Sequence, residues 1–257
     1  HNGRRRQRQM CIRDRFIVLT GLKILKTTIR MNKIEQLTFP WSKPNNSSFD
    51  DFYFEKNNLS ILEDLKSGDD LVIYGLSKVG KSFLLQSLCN YFSKSNKSSL
   101  YLPLKELNNY KTGLLDDLEK LDLVCIDDLH LIAGDNKWET AIFNLINNCL
   151  ISNCRIVFCS NINPSLISFE LDDLFSRIQK INRMEVHPVK SDNLIEAVRF
   201  FADLRSINIG DKEVTYLINH SKRNMGDLVT HINQLDKLSM QLKRKITIPL
   251  IKKVIEN

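Results

Sequence analysis

The stretch GLSKVGKS, residues 75–82, follows the apolar run LVIY and opens a helical pattern. It matches G-x-x-x-x-G-K-[ST], in which glycines let the backbone wrap around phosphate groups and aim its N–H groups inward. At average residue usage, a chance match in a chain of this length has about one chance in a hundred. The candidate phosphate-binding residues are therefore Gly75, Leu76, Ser77, Lys78, Val79, Gly80, Lys81 and Ser82.

The chemistry of such a loop assigns roles to its last two residues. We expect Lys81 to reach the β- and γ-phosphates of ATP or ADP and Ser82 to bind Mg²⁺. The apolar run LVCIDD (123–128) ends in two acids, as a strand that completes the metal site does. Asp127 is the candidate for the metal and Asp128 for positioning or activating water; the alternative is an acidic turn at a strand end.

Two further polar residues follow in an order that suits nucleotide chemistry. Asn161 ends the apolar run CRIVFCSN (154–161), where it is a candidate to sense the γ-phosphate or hold the attacking water. The alternative is a turn or cap, because NINP follows. Arg177 lies in LFSRIQ and is a candidate arginine finger for a neighbouring subunit, or else a solvated arginine.

Apolar strands alternate with helical patterns over residues 71–189, which predicts a parallel sheet covered on both faces. The predicted buried strands are 71–75, 99–104, 121–128, 154–161 and 184–189. The predicted helices between them are 82–92, 107–120, 137–150 and 173–179. After Pro188 the spacing is helical over 191–207, 212–223 and 226–245, which predicts a small helical domain.

Charge is distributed unevenly along the chain. The net charge of +7 arises in residues 1–30, which hold nine Lys/Arg and one acid and leave 28 bases against 29 acids elsewhere. The alternatives for residues 1–30 are a basic arm, a signal peptide, or non-native sequence before a start at Met31. Lys23 interrupts the apolar run that a signal peptide needs. We favour the non-native interpretation, because RQRQMCIRDR (6–15) resembles translated sequencing-adapter sequence and Met31 is a natural start.

The cysteines and the lengths of the apolar runs indicate in which cellular compartment the protein is expected. Six cysteines form no CxxC pair, and no apolar run reaches the length of a membrane span. These features predict free thiols in a cytoplasmic protein without membrane contact. The histidines at 130, 187, 220 and 231 have no ligand-like spacing, and we expect structural or exposed positions for them.

The order of motifs resembles that of the AAA+ ATPases. SFDDFYFEKNN (48–58) and IDDLHLIAGD (126–135) resemble segments of the bacterial initiator DnaA, whereas residues 132–145 and 232–255 resemble the Hda family of DnaA-homologous regulatory inactivators. The resemblance implies an α/β fold: an AAA+ P-loop core with a five-stranded parallel sheet, followed by a small all-α lid. The implied parts are a non-native or disordered segment (1–30), a clamp-binding peptide and linker (31–48), the core (49–189) and the lid (190–257).

The segment QLTFPW (36–41) resembles the peptide by which the Hda family docks on the DNA polymerase III sliding clamp (beta). Such a peptide offers one polar edge group and several apolar anchors, and Pro40 favours the extended backbone that docking needs. The implied clamp-binding residues are Gln36, Leu37, Phe39, Pro40 and Trp41. The alternative is a first strand packed on the domain's own core.

The resemblance also implies a function. Members of the Hda family stimulate ATP hydrolysis by DnaA and so prevent over-initiation of DNA replication, which makes DnaA and the clamp the implied partners. A homo-oligomer is left open, and the chain ends at Asn257 where DnaA continues into a DNA-binding domain. Gly226 stands where DnaA carries a nucleotide-contacting lid arginine, which favours a nucleotide-bound regulator over an efficient ATPase. The alternatives are a DnaA-like helicase loader, or adaptor ATPase, and a free-standing ATPase.

Overall fold

A five-stranded sheet forms the centre of the molecule. The computed structural model describes residues 47–107 and 110–256, which lie in one compact unit. Every strand pairing is parallel, and the order across the sheet is β2-β3-β4-β1-β5. The strands are β1 (Leu71–Tyr74), β2 (Ser99–Pro103), β3 (Leu123–Asp127), β4 (Arg155–Ser160) and β5 (Asn182–Glu185). Because they are parallel, the carboxyl ends of β1, β3 and β4 meet at one edge.

Helices cover both faces of the sheet. Those of the sheet domain are α1 (Leu59–Ser67), α2 (Lys81–Lys94), α3 (Asn136–Ser152) and α4 (Asp172–Lys180). Side chains alternate along β3: Leu123 and Cys125 join the core that contains α1 and α2, whereas Val124 and Ile126 join the core that contains α3 and α4. Both faces are therefore apolar, as expected of a sheet buried between two helical layers.

A separate helical segment follows the sheet. Its helices are α5 (Leu194–Leu204), α6 (Asp211–His220), α7 (Met225–Leu242) and α8 (Ile248–Ile255). They pack around a core of their own, in which Val198, Leu217, Leu228 and Ile232 are almost or fully inaccessible to solvent. The predicted fold class, a five-stranded parallel sheet followed by an all-helical lid, is confirmed. No helix in the described part of the chain is long and apolar enough to cross a membrane.

The helix predicted over residues 107–120 is wrong. The described part of this segment contains two short 3₁₀ helices, Thr112–Leu115 and Leu118–Lys120. Asp117 adopts a positive φ of 68°, which a continuous helix does not allow, and Gly113 lowers helix propensity nearby. The apolar side chains still serve the core, because Leu107 and Leu115 are buried against the α3 face of the sheet.

Two other elements differ from expectation. The last strand is not buried: β5 is an edge strand, begins at Asn182 and is mostly exposed. Helix α1 was not predicted, although Ile61 and Leu65 give it a buried face. Its end is stabilised by Arg155, whose guanidinium donates to the carbonyl oxygens of Asp64, Leu65 and Asp69.

The cysteines are divided between the two layers. All five within the described ranges are free and buried. Cys89, Cys125 and Cys159 belong to the core on the α2 side, and Cys149 and Cys154 to the core on the α3 side. They act there as small apolar side chains.

Candidate nucleotide site

The backbone of the phosphate loop depends on its two glycines. Gly75 has φ +147°, and a Cβ at this position would overlap the carbonyl oxygen of Val186. Gly80 has φ +103°, and a Cβ there would come within 2.5 Å of the Phe52 ring. Any other residue would be strained at both positions, so the sequence requirement for glycine is physical.

Lys81, the first residue of α2, lies inside the loop. Its side chain is buried, with 4% of the residue exposed. The ammonium donates to the carbonyl oxygens of Gly75 at 2.9 Å and Leu76 at 2.7 Å. Burial lowers the pKa of Lys81, and the nearby Asp127 and Asp128 oppose that shift. Among the described residues, this buried cation hydrogen bonds to carbonyl oxygens alone, which makes it well placed to bind an anion.

Asp127 ends β3 as a buried carboxylate with 2% of the residue exposed. It accepts hydrogen bonds from the Tyr101 hydroxyl at 2.7 Å and from the backbone N–H of Asp128 at 2.9 Å. The Ser82 side chain, at the start of α2, lies near the same hydroxyl and opposes the rise of its pKa, so Tyr101 stands between the two predicted metal-binding residues. Burial, and then the charge of Asp127, raise the pKa of Tyr101, which keeps the hydroxyl protonated as a donor.

Asp128 and Asn161 lie together at the carboxyl edge of the sheet, as the order of strands predicts. Asp128 has φ +60°, and the Asn161 amide lies 3.4 Å from its Oδ1. Burial, and then the charge of Asp127, raise the pKa of the Asp128 carboxyl. This arrangement places a carboxylate and an amide where a water molecule could be held.

His130, expected to be structural or exposed, also belongs to this edge. Its ring nitrogens lie 3.4 Å from the backbone N of Asn161 and 3.3 Å from its side-chain amide N. Burial lowers the pKa of His130, so the ring favours its neutral form. The only signal in the sequence was its position two residues after Asp128.

Arg177 lies on α4, away from these contacts. Leu174 and Ile178 bury one side of this helix, whereas Arg177, beside that side, is partly exposed. Among the described residues, its guanidinium has no hydrogen-bond or ion-pair partner. The chain therefore does not bring Arg177 together with its own phosphate loop through any such contact.

The lid touches the phosphate loop at Lys78. The N–H of Gly226 donates to the Lys78 carbonyl oxygen at 3.1 Å, and a Cβ at Gly226 would lie 2.7 Å from the Lys78 Cβ. The Lys78 ammonium pairs with Asp227, whose other oxygen accepts from the Asn224 amide at 2.8 Å. Sequence reasoning singled out Gly226 but missed Asp227 and Asn224.

A second connection joins the segment before α1 to the start of the lid. Glu55 is buried and accepts from the Lys190 backbone N–H at 2.8 Å and the Asn193 amide at 2.9 Å. The Tyr53 ring packs edge-on against Phe200 of α5. These contacts place residues 48–58, which resemble a segment of DnaA, against the start of the lid.

No metal site made only of protein groups is present in the described ranges, where no group of three or more His, Cys, Asp or Glu side chains is suitably arranged. The predicted clamp-binding residues 36–41 lie outside the described residues.

A parallel sheet of order β2-β3-β4-β1-β5, a phosphate loop after β1 and an all-helical lid define the AAA+ class of P-loop proteins. Residues 63–183 match the family model of the bacterial DnaA ATPase domain, and residues 191–255 match the model of the Hda lid domain. An uncharacterized protein of Haemophilus influenzae is 32% identical over 232 residues, which is 88% of this chain and 99% of that protein. The chain belongs to the Hda/DnaA-related family of AAA+ proteins.

Solved structures agree in fold. Domain III of the replication initiation protein DnaA from Thermotoga maritima has a TM-score of 0.71 at 19% identity, covering 82% of this chain and 95% of that chain. AMPPCP-bound DnaA from Aquifex aeolicus has a TM-score of 0.63 at 19% identity, covering 77% and 67%. The Holliday junction branch migration motor RuvB from T. maritima has a TM-score of 0.61 at 17% identity, covering 82% and 71%. At these identities the likeness establishes the fold alone.

Proposed function

We propose that residues 75–82 bind ADP or ATP. The loop glycines permit a close backbone approach, and the Lys81 ammonium is already held within the loop by two carbonyl oxygens. Phosphate oxygens would offer this cation a charged acceptor in place of neutral ones, which is the stronger interaction. The amino end of α2 adds backbone N–H groups and the positive end of its dipole.

The residues present also fit Mg²⁺ beside the nucleotide. Asp127 is a buried carboxylate that has no ion-pair partner among the described residues, and Ser82 lies near the Tyr101 hydroxyl that donates to it. Mg²⁺ prefers such oxygen ligands and takes the remainder from phosphates and water. When bound, the ion would supply positive charge that stabilises the phosphates. Asp127 and Ser82 would hold it, and Asp128 and Asn161 would orient water.

The lid contact supports a regulator rather than an efficient ATPase. Gly226 leaves no room for a side chain between the lid and Lys78, and Asp227 turns a negative charge toward the loop. A lid cation that could stabilise charge on transferring phosphate is therefore missing at this position. We expect slow turnover of ATP by the isolated chain.

The function that fits best is the regulatory inactivation of DnaA. The chain docks on the DNA-loaded sliding clamp through residues 36–41, contacts ATP-bound DnaA and presents Arg177 to the DnaA nucleotide. Hydrolysis then leaves ADP-bound DnaA, which no longer initiates replication. The observation that carries this proposal is that Arg177 is partly exposed and has no hydrogen-bond or ion-pair partner among the described residues, on a helix that Leu174 and Ile178 anchor in the core.

The test is the rate of ATP hydrolysis by DnaA on clamp-loaded DNA, with and without the full chain. The wild type should accelerate hydrolysis, and Arg177→Ala should remove the acceleration while keeping nucleotide and clamp binding, because an arginine finger contributes about 10³–10⁵ in rate where it has been measured. Lys180→Ala, which removes an exposed cation from the same helix, is the matched control. Equal stimulation by wild type and Arg177→Ala would refute the arginine-finger role.

A further inference from the structure

Glu139 is an unusual residue in the core of the sheet domain. It lies in the first turn of α3 and is completely buried, with 0% of the residue exposed. Its carboxylate accepts three backbone N–H bonds: from Gly134 at 2.8 Å, from Glu170 at 3.1 Å and from Leu171 at 2.7 Å. Among the described residues, no cation pairs with it.

Burying a carboxylate is costly unless hydrogen bonds compensate for the lost water. An apolar side chain of similar size would fill the space without that cost, but it could not bind backbone N–H groups. What Glu139 achieves is therefore geometric: a single rigid group fixes two segments that are far apart in the sequence. Charge-assisted hydrogen bonds of this kind are short and directional, which suits that purpose.

The two segments that Glu139 joins lead to different parts of the proposed mechanism. Gly134 belongs to the loop after the 3₁₀ helix Leu129–Ile132, which directly follows Asp128. Leu171 is the residue immediately before α4, the helix that carries Arg177. Leu171 offers no side-chain cap to α4, so the Glu139 carboxylate supplies the acceptor at the entrance of that helix.

We propose that Glu139 is a positioning residue that couples the nucleotide edge of the sheet to α4. Occupancy of the phosphate loop orders the segment after Asp128, and Glu139 transmits that order to the start of the Arg177 helix. Arg177 is thus presented to a partner according to the nucleotide state of its own chain. The consequence for DnaA rests on the proposed function, whereas the coupling within the chain can be measured without any partner.

A purely structural role for Glu139 predicts a different result. Asp70 provides the comparison, because its carboxylate also accepts a backbone N–H, from Ile156 at 2.8 Å, but at the amino end of the strands. Loss of either carboxylate should destabilise the fold. Only loss of Glu139 should disconnect α4 from the nucleotide site.

The test uses hydrogen exchange on the full chain, with and without ADP and Mg²⁺, and follows backbone amides of residues 171–180. In the wild type, nucleotide should slow their exchange by about fivefold or more, the low end of coupling between sites. Glu139→Gln should retain nucleotide affinity but lose this slowing, and Asp70→Asn should retain both. Should Glu139→Gln fail to fold, Leu171→Pro removes one N–H donor and leaves the carboxylate in place.

Three outcomes would overturn the coupling: wild-type exchange that ignores nucleotide, a Glu139→Gln variant that still responds, or equal loss in Asp70→Asn. The same variants are then assayed for stimulation of DnaA. A wild type that responds in exchange but does not stimulate DnaA refutes the proposed function and leaves the coupling intact. Stimulation by wild type with unaltered exchange refutes only the coupling.

Discussion

The backbone N–H of Gly226 donates a hydrogen bond of 3.1 Å to the carbonyl oxygen of Lys78, which places the lid helix α7 directly against the phosphate loop. This N–H belongs to the first turn of α7, where backbone donors have no partner within their own helix. The Lys78–Asp227 ion pair is a second connection at the same place. Lid and loop therefore meet without a nucleotide-contacting side chain at position 226.

Gly226→Ala should destabilise the chain by about 1–3 kcal/mol, because overpacking at a close contact forces neighbours to shift. The new Cβ would lie 2.7 Å from the Lys78 Cβ and 3.1 Å from the Lys78 carbonyl oxygen. Urea unfolding measures the change in the free energy of unfolding. Gly113→Ala is the control, since its Cβ would meet nothing nearer than 3.5 Å. Equal stability of both variants would show that the lid moves away at no cost.

The ion pair predicts a dependence of stability on pH. The hydrogen bond from Lys78, followed by that from Asn224, lowers the pKa of Asp227 below its ordinary value. The folded state therefore favours the ionised carboxylate. The resulting stabilisation is complete above the unfolded pKa of about 3.9 and is lost as pH falls through the folded pKa.

Asp227→Asn should accordingly reduce the free energy of unfolding at pH 7 by about 0.2–1 kcal/mol, the range of exposed ion pairs. The difference from wild type should shrink at pH 3, and also in high salt at pH 7. Urea unfolding at both pH values measures it. A difference that is constant with pH would attribute the effect to packing or capping instead of charge.

Tyr101→Phe should cost about 1–3 kcal/mol of stability, because a buried carboxylate loses a hydrogen-bond donor. The hydroxyl lies 2.7 Å from Asp127, and no cation among the described residues forms an ion pair with that carboxylate. Saturating Mg²⁺ and nucleotide should reduce this cost by supplying positive charge near Asp127. Thermal unfolding with and without the ligands measures both effects.

The control is Tyr91→Phe, which keeps the ring contacts of Tyr91 with Phe49 and Phe92. It should change stability little. If Tyr91→Phe lowered the stability as much as Tyr101→Phe, the hydrogen bond to Asp127 would not explain the effect.

The clamp-binding peptide gives a prediction that is independent of the described structure. Gln36→Ala/Leu37→Ala in the full chain should weaken binding to the sliding clamp by about thirtyfold or more, as expected when an interface hot spot of ~2 kcal/mol is lost. Nucleotide binding should not change. Ser42→Ala/Lys43→Ala, in the adjacent linker, is the control. Surface plasmon resonance measures the affinity, and an unaffected double variant would place clamp contact elsewhere or remove it from the mechanism.

Much of the fold follows from local sequence signals. The glycines of the phosphate loop and the alternation of strands and helices were enough to predict the parallel sheet and the lid. The helix prediction for residues 107–120 was wrong because the spacing of their apolar residues suits a helix. In the structure the backbone turns at Asp117, and the leucines of this segment pack in the core from 3₁₀ helices and the residues beside them. The prediction that the last strand is buried was wrong because β5 lies at the edge of the sheet. The order of the strands determines that position, and no local sequence pattern encodes it.

The site residues that belong to a known sequence motif could be predicted. Those that reach the site only through the pairing of neighbouring strands could not. Lys81 and Asp127 lie in recognisable motifs. Tyr101 reaches Asp127 from 26 residues away because β2 pairs with β3 so that Tyr101 is opposite Cys125 and Pro103 is opposite Asp127. Contacts of this kind require the register of the sheet, which the sequence does not reveal by spacing alone.

The rates at which the buried cysteines react with a thiol reagent report when each of the two core layers opens. Burial raises the pKa of Cys125 and of Cys159, so these thiols react only after their surroundings open. Labelling reports the opening of the layer that contains α2 when it occurs at Cys89, Cys125 and Cys159. It reports the opening of the layer that contains α3 when it occurs at Cys149 and Cys154. Mass spectrometry of pulse-labelled protein would therefore record in which order the two sides of the sheet separate.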